Sequence, residues 1–140
     1  GLSTKARLAA LRQILDEAVE VVRRSKPSLS PLLSRVRHGY DSSNNTYEAF
    51  CDGKRIVVNL YVYMPRLSSR LTSISSALAA APKTLLHDLV VTVTHELAHF
   101  LQPNAGHGPA WRDSHMAMLV EVMAMLELKE LPSHSSSSSA

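Results

Sequence analysis

Two histidines four residues apart constrain this chain more than any other feature of its sequence. His95 and His99 belong to the segment HELAH. On an α-helix that turns about 100° per residue they point about 40° apart, so both imidazoles can reach one metal ion. Glu96 lies in the same sector but is too near in sequence to be a third ligand, whereas it is well placed to accept a proton from water. The segment therefore predicts a helix that carries a metal site and a general base.

The residues around this segment have helical periodicity from residue 82 to residue 102. One stripe is apolar and consists of Leu86, Val90, Val93 and Leu97. A second stripe, offset by roughly 200°, consists of Asp88, Thr92, His95 and His99. Such a helix can bury one face while the other lines a cleft. Pro82 suits a first turn and Pro103 lacks the donor that a further turn needs, so we expect the helix to end just after His99.

A third histidine follows the helix within the segment GHGPAW, at residues 106–111. We expect residues 104–108 to fold back tightly and to bring His107 to the other two imidazoles, with Trp111 packed beneath this return loop. Three protein ligands with one open position are typical of catalytic zinc. The sequence thus predicts Zn²⁺ held by His95, His99 and His107, with Glu96 as the catalytic base.

Other ligand sets remain open. Glu121, which lies 22 positions after His99, is an alternative third ligand, as a downstream helical glutamate is in thermolysin-like enzymes. A closed site with His115 or Glu121 as a fourth ligand would make the zinc purely structural. A base beside the metal has no use in such a site, so Glu96 favours the catalytic interpretation. The candidates for an oxyanion stabiliser are Tyr61, Tyr63 and His115.

The composition favours one globular domain without a membrane segment. A chain of 140 residues can build a single core, which we expect over residues 1–132, and the Ser-rich residues 133–140 are predicted to be disordered. The longest apolar runs are too short to cross a bilayer. Cys51 stands alone, which excludes a disulfide framework or a cysteine-based zinc ribbon within this chain. This cysteine usage suits an intracellular compartment, cytoplasmic or nuclear.

Charge is unevenly distributed along the chain. Residues 1–70 carry twelve Lys and Arg against six Asp and Glu, whereas residues 71–140 carry three against six. A basic half favours contact with nucleic acid or another polyanion, although these residues are scattered and include no aromatic stacking set. The alternative function is therefore a non-catalytic, zinc-stabilised binding module that contacts nucleic acid through its basic N-terminal half.

The order of predicted elements indicates an α+β fold. An antiparallel three-stranded meander is expected to pack against an N-terminal helix, the metal-binding helix and a C-terminal helix. Asp52 and Gly53 predict a hairpin turn, and the strand ending at Met64 is the candidate open edge for a peptide. The predicted helices are 4–24, a short one within 67–81, 82–102 and 109–128, and the predicted strands are 32–40, 46–51 and 54–64.

The segment HELAH at residues 95–99, followed by HGPAW at residues 107–111, resembles the SprT-like, Spartan-related zinc metallopeptidases. It is also similar to small zincin-like metallohydrolases that read HELAH with a nearby HGP. The resemblance implies a zincin-like fold, zinc at His95, His99 and His107, Glu96 as catalytic base, and peptide bonds of proteins as substrates. Two features depart from the SprT-like pattern. Only seven residues separate His99 from His107, and no cysteine cluster follows the domain.

Overall fold

The computed structural model describes residues 3–43, 47–67 and 73–139, with the side chains of residue 80 and residues 128–139 excepted. The fold is α+β, mostly helical, with one small sheet. In chain order its elements are α1 (Thr4–Ser25), a 3₁₀ turn (Pro27–Leu29), α2 (Ser30–Leu33), β1 (Val36–Gly39), β2 (Ala49–Cys51), β3 (Ile56–Asn59), a 3₁₀ helix (Leu60–Arg66), α3 (Ile74–Ala80), α4 (Lys83–Leu101) and α5 (Pro109–Ser139).

The first helix follows the periodicity of its sequence closely. The Ser3 hydroxyl caps α1 by accepting a hydrogen bond from the Ala6 amide at 3.1 Å. Arg23 and Arg24 lie in the last turn, where positive charge complements the helix dipole. Its buried face carries Ala10, Leu11, Ile14, Leu15, Ala18, Val21 and Val22. The predicted helix over residues 4–24 is thus confirmed to within one residue.

The sheet differs from the predicted antiparallel meander. Its strand order is β1-β3-β2, with β3 in the centre, β1 parallel to it and β2 antiparallel to it. The hairpin predicted at Asp52 and Gly53 does join β2 to β3, and Gly53 takes the positive φ of 85° that the turn needs. The error concerns β1. A meander would pair it with β2, whereas the chain here places the two strands on opposite sides of β3.

Two predicted strands are also too long. Residues 30–33 form α2, with Pro31 in its first turn, so β1 begins only at Val36. The strand predicted over 54–64 ends at Asn59, whose side-chain oxygen accepts hydrogen bonds from the Asp41 amide at 2.9 Å and the Tyr61 amide at 3.3 Å. The second of these bonds caps the 3₁₀ helix that follows. The side chain of Asn59 therefore marks the end of β3 and the start of the 3₁₀ helix.

The core lies between α1, α4, α5 and the sheet. Helix α4 packs against α1 on one side and α5 on another, and it also contacts β2 and β3. Of the apolar stripe predicted for this helix, Val90, Val93 and Leu97 are fully buried, as expected for a helix at the centre of a domain. No helix within the described ranges is both long and apolar enough to cross a bilayer.

The last helix extends past its predicted end at Leu128. Helix α5 packs Met118, Val122 and Leu126 into the core, and its backbone continues through the Ser-rich residues 133–139. Residue 140 and the side chains from residue 128 onward lie outside the described part of the structure. The predicted domain boundary at residue 132 and the predicted disorder of the tail therefore stay predictions.

Candidate metal centre

The structure brings three imidazoles together at the C-terminal end of α4. His107 Nε2 lies 3.2 Å from His99 Nε2 and 3.3 Å from His95 Nε2. One ligand atom from each of the three residues falls within 4.8 Å of the others. The four-residue spacing on α4 supplies two of these rings, and the loop after the helix supplies the third. The three histidines therefore lie close enough to hold one metal ion.

A short loop returns the chain to the helix. Helix α4 ends at Leu101, and the Gln102 amide still donates to the Ala98 carbonyl at 2.8 Å before Pro103 ends the pattern. Gly106 adopts a φ of 56°, which glycine tolerates better than other residues. Gly108 is required for a different reason, because a Cβ at this position would lie 2.9 Å from the Ala105 carbonyl oxygen. The two glycines thus allow the turn that carries His107 back.

The two nitrogen–nitrogen distances measured from His107 are compatible with zinc. Tetrahedral zinc binds histidine nitrogen at 2.0–2.1 Å, which places neighbouring ligand nitrogens about 3.3–3.4 Å apart. The two Nε2 distances from His107, 3.2 and 3.3 Å, match this edge length closely. Imidazole is also a ligand that zinc prefers. Three such nitrogens would leave a fourth position of a tetrahedral ion for water or substrate.

The electrostatic environment keeps the imidazoles of His95 and His99 in the form that binds metal. Burial, followed by the charges of His99, His115 and His107, lowers the pKa of His95 to about 4. Burial and then the neighbouring His107 and His115 also lower the pKa of His99. Neutral imidazole is the coordinating form, because a protonated ring has no lone pair to donate. The site is therefore prepared for a cation near neutral pH.

Glu96 lies at the edge of this cluster, with Oε1 3.9 Å from His95 Nε2. Its exposed fraction is only 7%, and burial raises the pKa of its carboxyl group to about 7. A carboxyl group in an apolar environment is harder to ionise, since the charged form loses solvation. A general base works best when its pKa lies near the working pH. Burial thus gives Glu96 the properties of a proton acceptor at neutral pH.

Trp111 contacts all three histidine rings. Its indole stacks on His99 with ring centroids 5.3 Å apart, and it meets His95 and His107 edge-on at 4.7 and 4.8 Å. Its Nε1 donates a hydrogen bond to the His95 carbonyl at 3.2 Å. The sequence predicted that Trp111 packs beneath the return loop and positions His107. In the structure the indole restrains the whole cluster from the start of α5.

Neither alternative ligand joins the group of three histidines, although the His115 ring lies 5.6 Å from the ring of His95. Glu121 is half exposed on α5, where its carboxylate pairs with Lys26 Nζ at 3.3 Å. His115 is buried with Nε2 3.1 Å from Thr94 Oγ1, and its imidazole hydrogen-bonds to the Val91 backbone. Among the described residues, the group able to hold a metal contains His95, His99 and His107 and neither of these two. Within the described ranges the structure thus groups no fourth protein ligand with the three histidines.

A cleft of about 680 Å³ opens over the three histidines and Glu96. Its opposite wall is β2, contributed by Ala49, Phe50 and Cys51, with Phe100 and Pro103 at one end. Because β2 lies at the edge of the sheet, the prediction that the strand ending at Met64 provides an open edge is wrong. The predicted strand corresponds to β3, which lies in the centre of the sheet. The edge strand that faces the metal centre is β2.

The proposed oxyanion stabilisers are not in the cleft. Tyr61 packs edge-on against Tyr40 with centroids 5.3 Å apart, and Tyr63 is buried with its hydroxyl 2.6 Å from Thr92 Oγ1. Neither residue, nor His115, lines the cleft. Sequence reasoning also missed Glu48, which lies just before β2 and beside Glu96 in space. No sequence signal identifies Glu48, since its position depends on how β2 pairs with β3.

Comparisons with known proteins identified no relative of this chain. The chain matches no family model, and no curated protein or solved structure matches it significantly. The function of the chain therefore has to be inferred from the geometry of the site.

Proposed function

We propose that this protein is a zinc-dependent metallopeptidase of the zincin-like, SprT-like type, which hydrolyses peptide bonds of protein substrates. The observation that carries the proposal is the convergence of three histidine nitrogens beside a buried carboxylate, on the wall of an open cleft. A metal that only stabilised the fold would need neither the carboxylate nor the cleft. The combination is typical of hydrolytic sites.

Each residue has a defined task in this mechanism. His95, His99 and His107 would hold zinc, which when bound would supply a Lewis acid that polarises a carbonyl and acidifies water. Glu96 accepts the proton of the attacking water as its oxygen adds to the scissile carbonyl carbon. The same carboxyl group then delivers that proton to the leaving nitrogen. The C–N bond breaks, and a carboxylate and an amine are released.

The substrate is an extended polypeptide in the cleft between β2 and α4. Within the described ranges β2 pairs with β3 alone, so its outer edge offers backbone groups to an added strand. Phe50 and Phe100 provide apolar contacts along the same cleft. A peptide held there would present a backbone carbonyl to the histidine cluster. A folded protein cannot enter in this way, so we expect unstructured segments to be cleaved.

The test is a comparison of wild type with Glu96→Gln. Zinc content is measured by metal analysis, and activity by cleavage of an unfolded protein with and without chelator. We expect one zinc per chain in both proteins, cleavage by the wild type that chelator abolishes, and no cleavage by the variant. Glu127→Gln, which changes an exposed glutamate on α5, is the matched control and should stay active. Wild-type activity in Glu96→Gln would refute the mechanism.

One observation favours nucleic-acid binding as a second candidate function. A cavity of about 330 Å³ between α1 and β1 is lined by Lys5, Arg12 and His38, with the exposed ring of Tyr40 beside them. Cationic groups next to an exposed aromatic ring suit a phosphate and a stacked base. We expect Lys5→Ala and Arg12→Ala to weaken single-stranded DNA binding and to reduce its salt dependence. If neither substitution changes DNA binding, this surface is excluded as the nucleic-acid binding site.

A further inference from the structure

A second, smaller cavity adjoins the metal centre. It has a volume of about 260 Å³ and is lined by Glu48, Ala49, Val91, Thr92, His95 and Glu96. The residues Ala49, His95 and Glu96 also line the main cleft, so the two spaces meet beside the histidine cluster. Pockets for whole drug-sized ligands have volumes of roughly 300–1,000 Å³. The smaller cavity therefore suits one side chain of a polypeptide whose backbone lies in the cleft.

The carboxylate of Glu48 is held in a fixed position on the wall of this cavity. Its Oε2 accepts a hydrogen bond from Thr92 Oγ1 at 3.0 Å and another from the Tyr63 hydroxyl at 3.2 Å. Those two hydroxyl groups lie 2.6 Å apart, and both residues are buried. Glu48 itself is exposed. A charged group at the surface is thus oriented by two groups from the interior.

No cation of the described chain neutralises this carboxylate. Arg66, which belongs to the same 3₁₀ helix as Tyr63, is already paired with Asp88 and with the Thr84 hydroxyl. Within the described ranges no Lys or Arg forms an ion pair with Glu48. The cavity therefore contains two carboxyl groups, from Glu48 and Glu96, and the Glu48 carboxylate has no ion-pair partner among the described basic side chains.

We propose that this cavity binds the side chain of a lysine or arginine of the substrate, and that Glu48 selects for it. The inference rests on the proposed peptidase function and adds a class of substrate to it. The ammonium or guanidinium group of such a side chain would donate a charge-assisted hydrogen bond to the Glu48 carboxylate. The methylene groups of the same side chain would lie along Ala49 and Val91. An acidic side chain would face like charge and be excluded.

The kinetic test uses quenched fluorescent peptides that differ at a single position near the cleaved bond. That position is occupied by lysine, arginine, the uncharged isostere norleucine, or glutamate. A hydrogen bond between charged groups corresponds to a preference of at least about tenfold for lysine over norleucine in kcat/KM. Glu48→Gln should reduce this ratio to about two, and Glu48→Lys should make the glutamate peptide the better substrate. Glu127→Gln should keep the wild-type ratio, and all variants should retain zinc.

A binding test separates the cavity from catalysis. In the zinc-loaded Glu96→Gln protein, fluorescence anisotropy measures the affinity for the lysine and norleucine peptides. The same measurement is made with the additional substitution Glu48→Gln. We expect the lysine peptide to bind about tenfold more tightly only when Glu48 is present.

The outcomes distinguish the two proposals. Cleavage without a preference for basic residues, or a preference that survives Glu48→Gln, overturns the role of Glu48 and leaves the peptidase proposal standing. Absence of cleavage by the zinc-loaded wild type, with lysine-selective binding that depends on Glu48, overturns the peptidase and retains the cation-binding cavity. Absence of both cleavage and selective binding overturns both.

Discussion

Replacing Trp111 by phenylalanine should weaken zinc binding about tenfold. The indole Nε1 donates to the His95 carbonyl at 3.2 Å, and phenylalanine cannot replace this hydrogen bond. A lost hydrogen bond of this kind costs about 1 kcal/mol. The smaller ring would also give up part of the contact with the three imidazoles, whose centroids lie 4.7–5.3 Å from the indole. Loss of groups that orient metal ligands typically lowers metal affinity about 10–100-fold.

Two measurements quantify the loss of zinc affinity caused by Trp111→Phe. Competition with a chromophoric chelator yields the zinc dissociation constant directly. Thermal unfolding gives an independent value, since free zinc at 100 times the wild-type dissociation constant stabilises the fold by about 2.7 kcal/mol. With tenfold weaker binding, the same zinc concentration would contribute only about 1.4 kcal/mol. Both measurements avoid the intrinsic fluorescence of Trp111, which is the single tryptophan of the chain.

A suitable control is Tyr40→Phe, which removes a polar atom from an exposed aromatic ring that lies outside the metal centre. This variant should bind zinc as the wild type does. If Trp111→Phe folds and also keeps its zinc affinity within about twofold of wild type, the indole does not restrain the histidines, and the positioning argument is refuted.

Further predictions follow from the return loop, the buried hydroxyl network and the general base. Gly108→Ala places a Cβ 2.9 Å from the Ala105 carbonyl oxygen, so it should lower stability by about 1–3 kcal/mol and weaken zinc binding, as measured by thermal unfolding and zinc titration; unchanged values would contradict the tight approach. Tyr63→Phe should cost about 1 kcal/mol in denaturant unfolding, because it removes the buried hydroxyl that lies 2.6 Å from Thr92 Oγ1 and donates to Glu48 Oε2 at 3.2 Å. Burial raises the pKa of Glu96 from 4.5 to about 7, so between these values the folded metal-free chain retains a proton that the unfolded chain has released. The contribution of Glu96 to stability therefore falls as pH rises through this window, and the advantage of Glu96→Gln in unfolding free energy should grow. An advantage that is constant with pH would count against a buried, neutral carboxyl group.

The helices could be predicted from the sequence because their information is local. In α1 and α4 the apolar residues recur with the helical period, and the ends carry recognisable signals such as Ser3 and Pro103. The position of His107 was also predictable. A proline ends the helix and two glycines follow it, so the short loop between them has few possible conformations. These features depend on residues that are near one another in sequence.

The sheet could not be predicted in the same way. Alternating apolar residues from Ile56 to Met64 are compatible with one long strand, and only the hydrogen bonds made by Asn59 to Asp41 and Tyr61 show why the strand ends. Strand order is a long-range property as well. The sequence of β1 contains nothing that specifies pairing with β3 rather than with β2, so the simplest meander was expected.

The two halves of the site consequently have different origins. The metal-binding half lies within residues 95–111 and needs only one helix and one tight loop. The proposed substrate-binding half depends on Glu48 and β2, and the hydrogen bond from Thr92 to Glu48 joins residues 44 positions apart. Substitutions in β2 can therefore change which polypeptides are selected while the histidine geometry stays intact. Substitutions in the return loop should instead change the affinity for zinc. They should therefore affect the cleavage of every substrate alike.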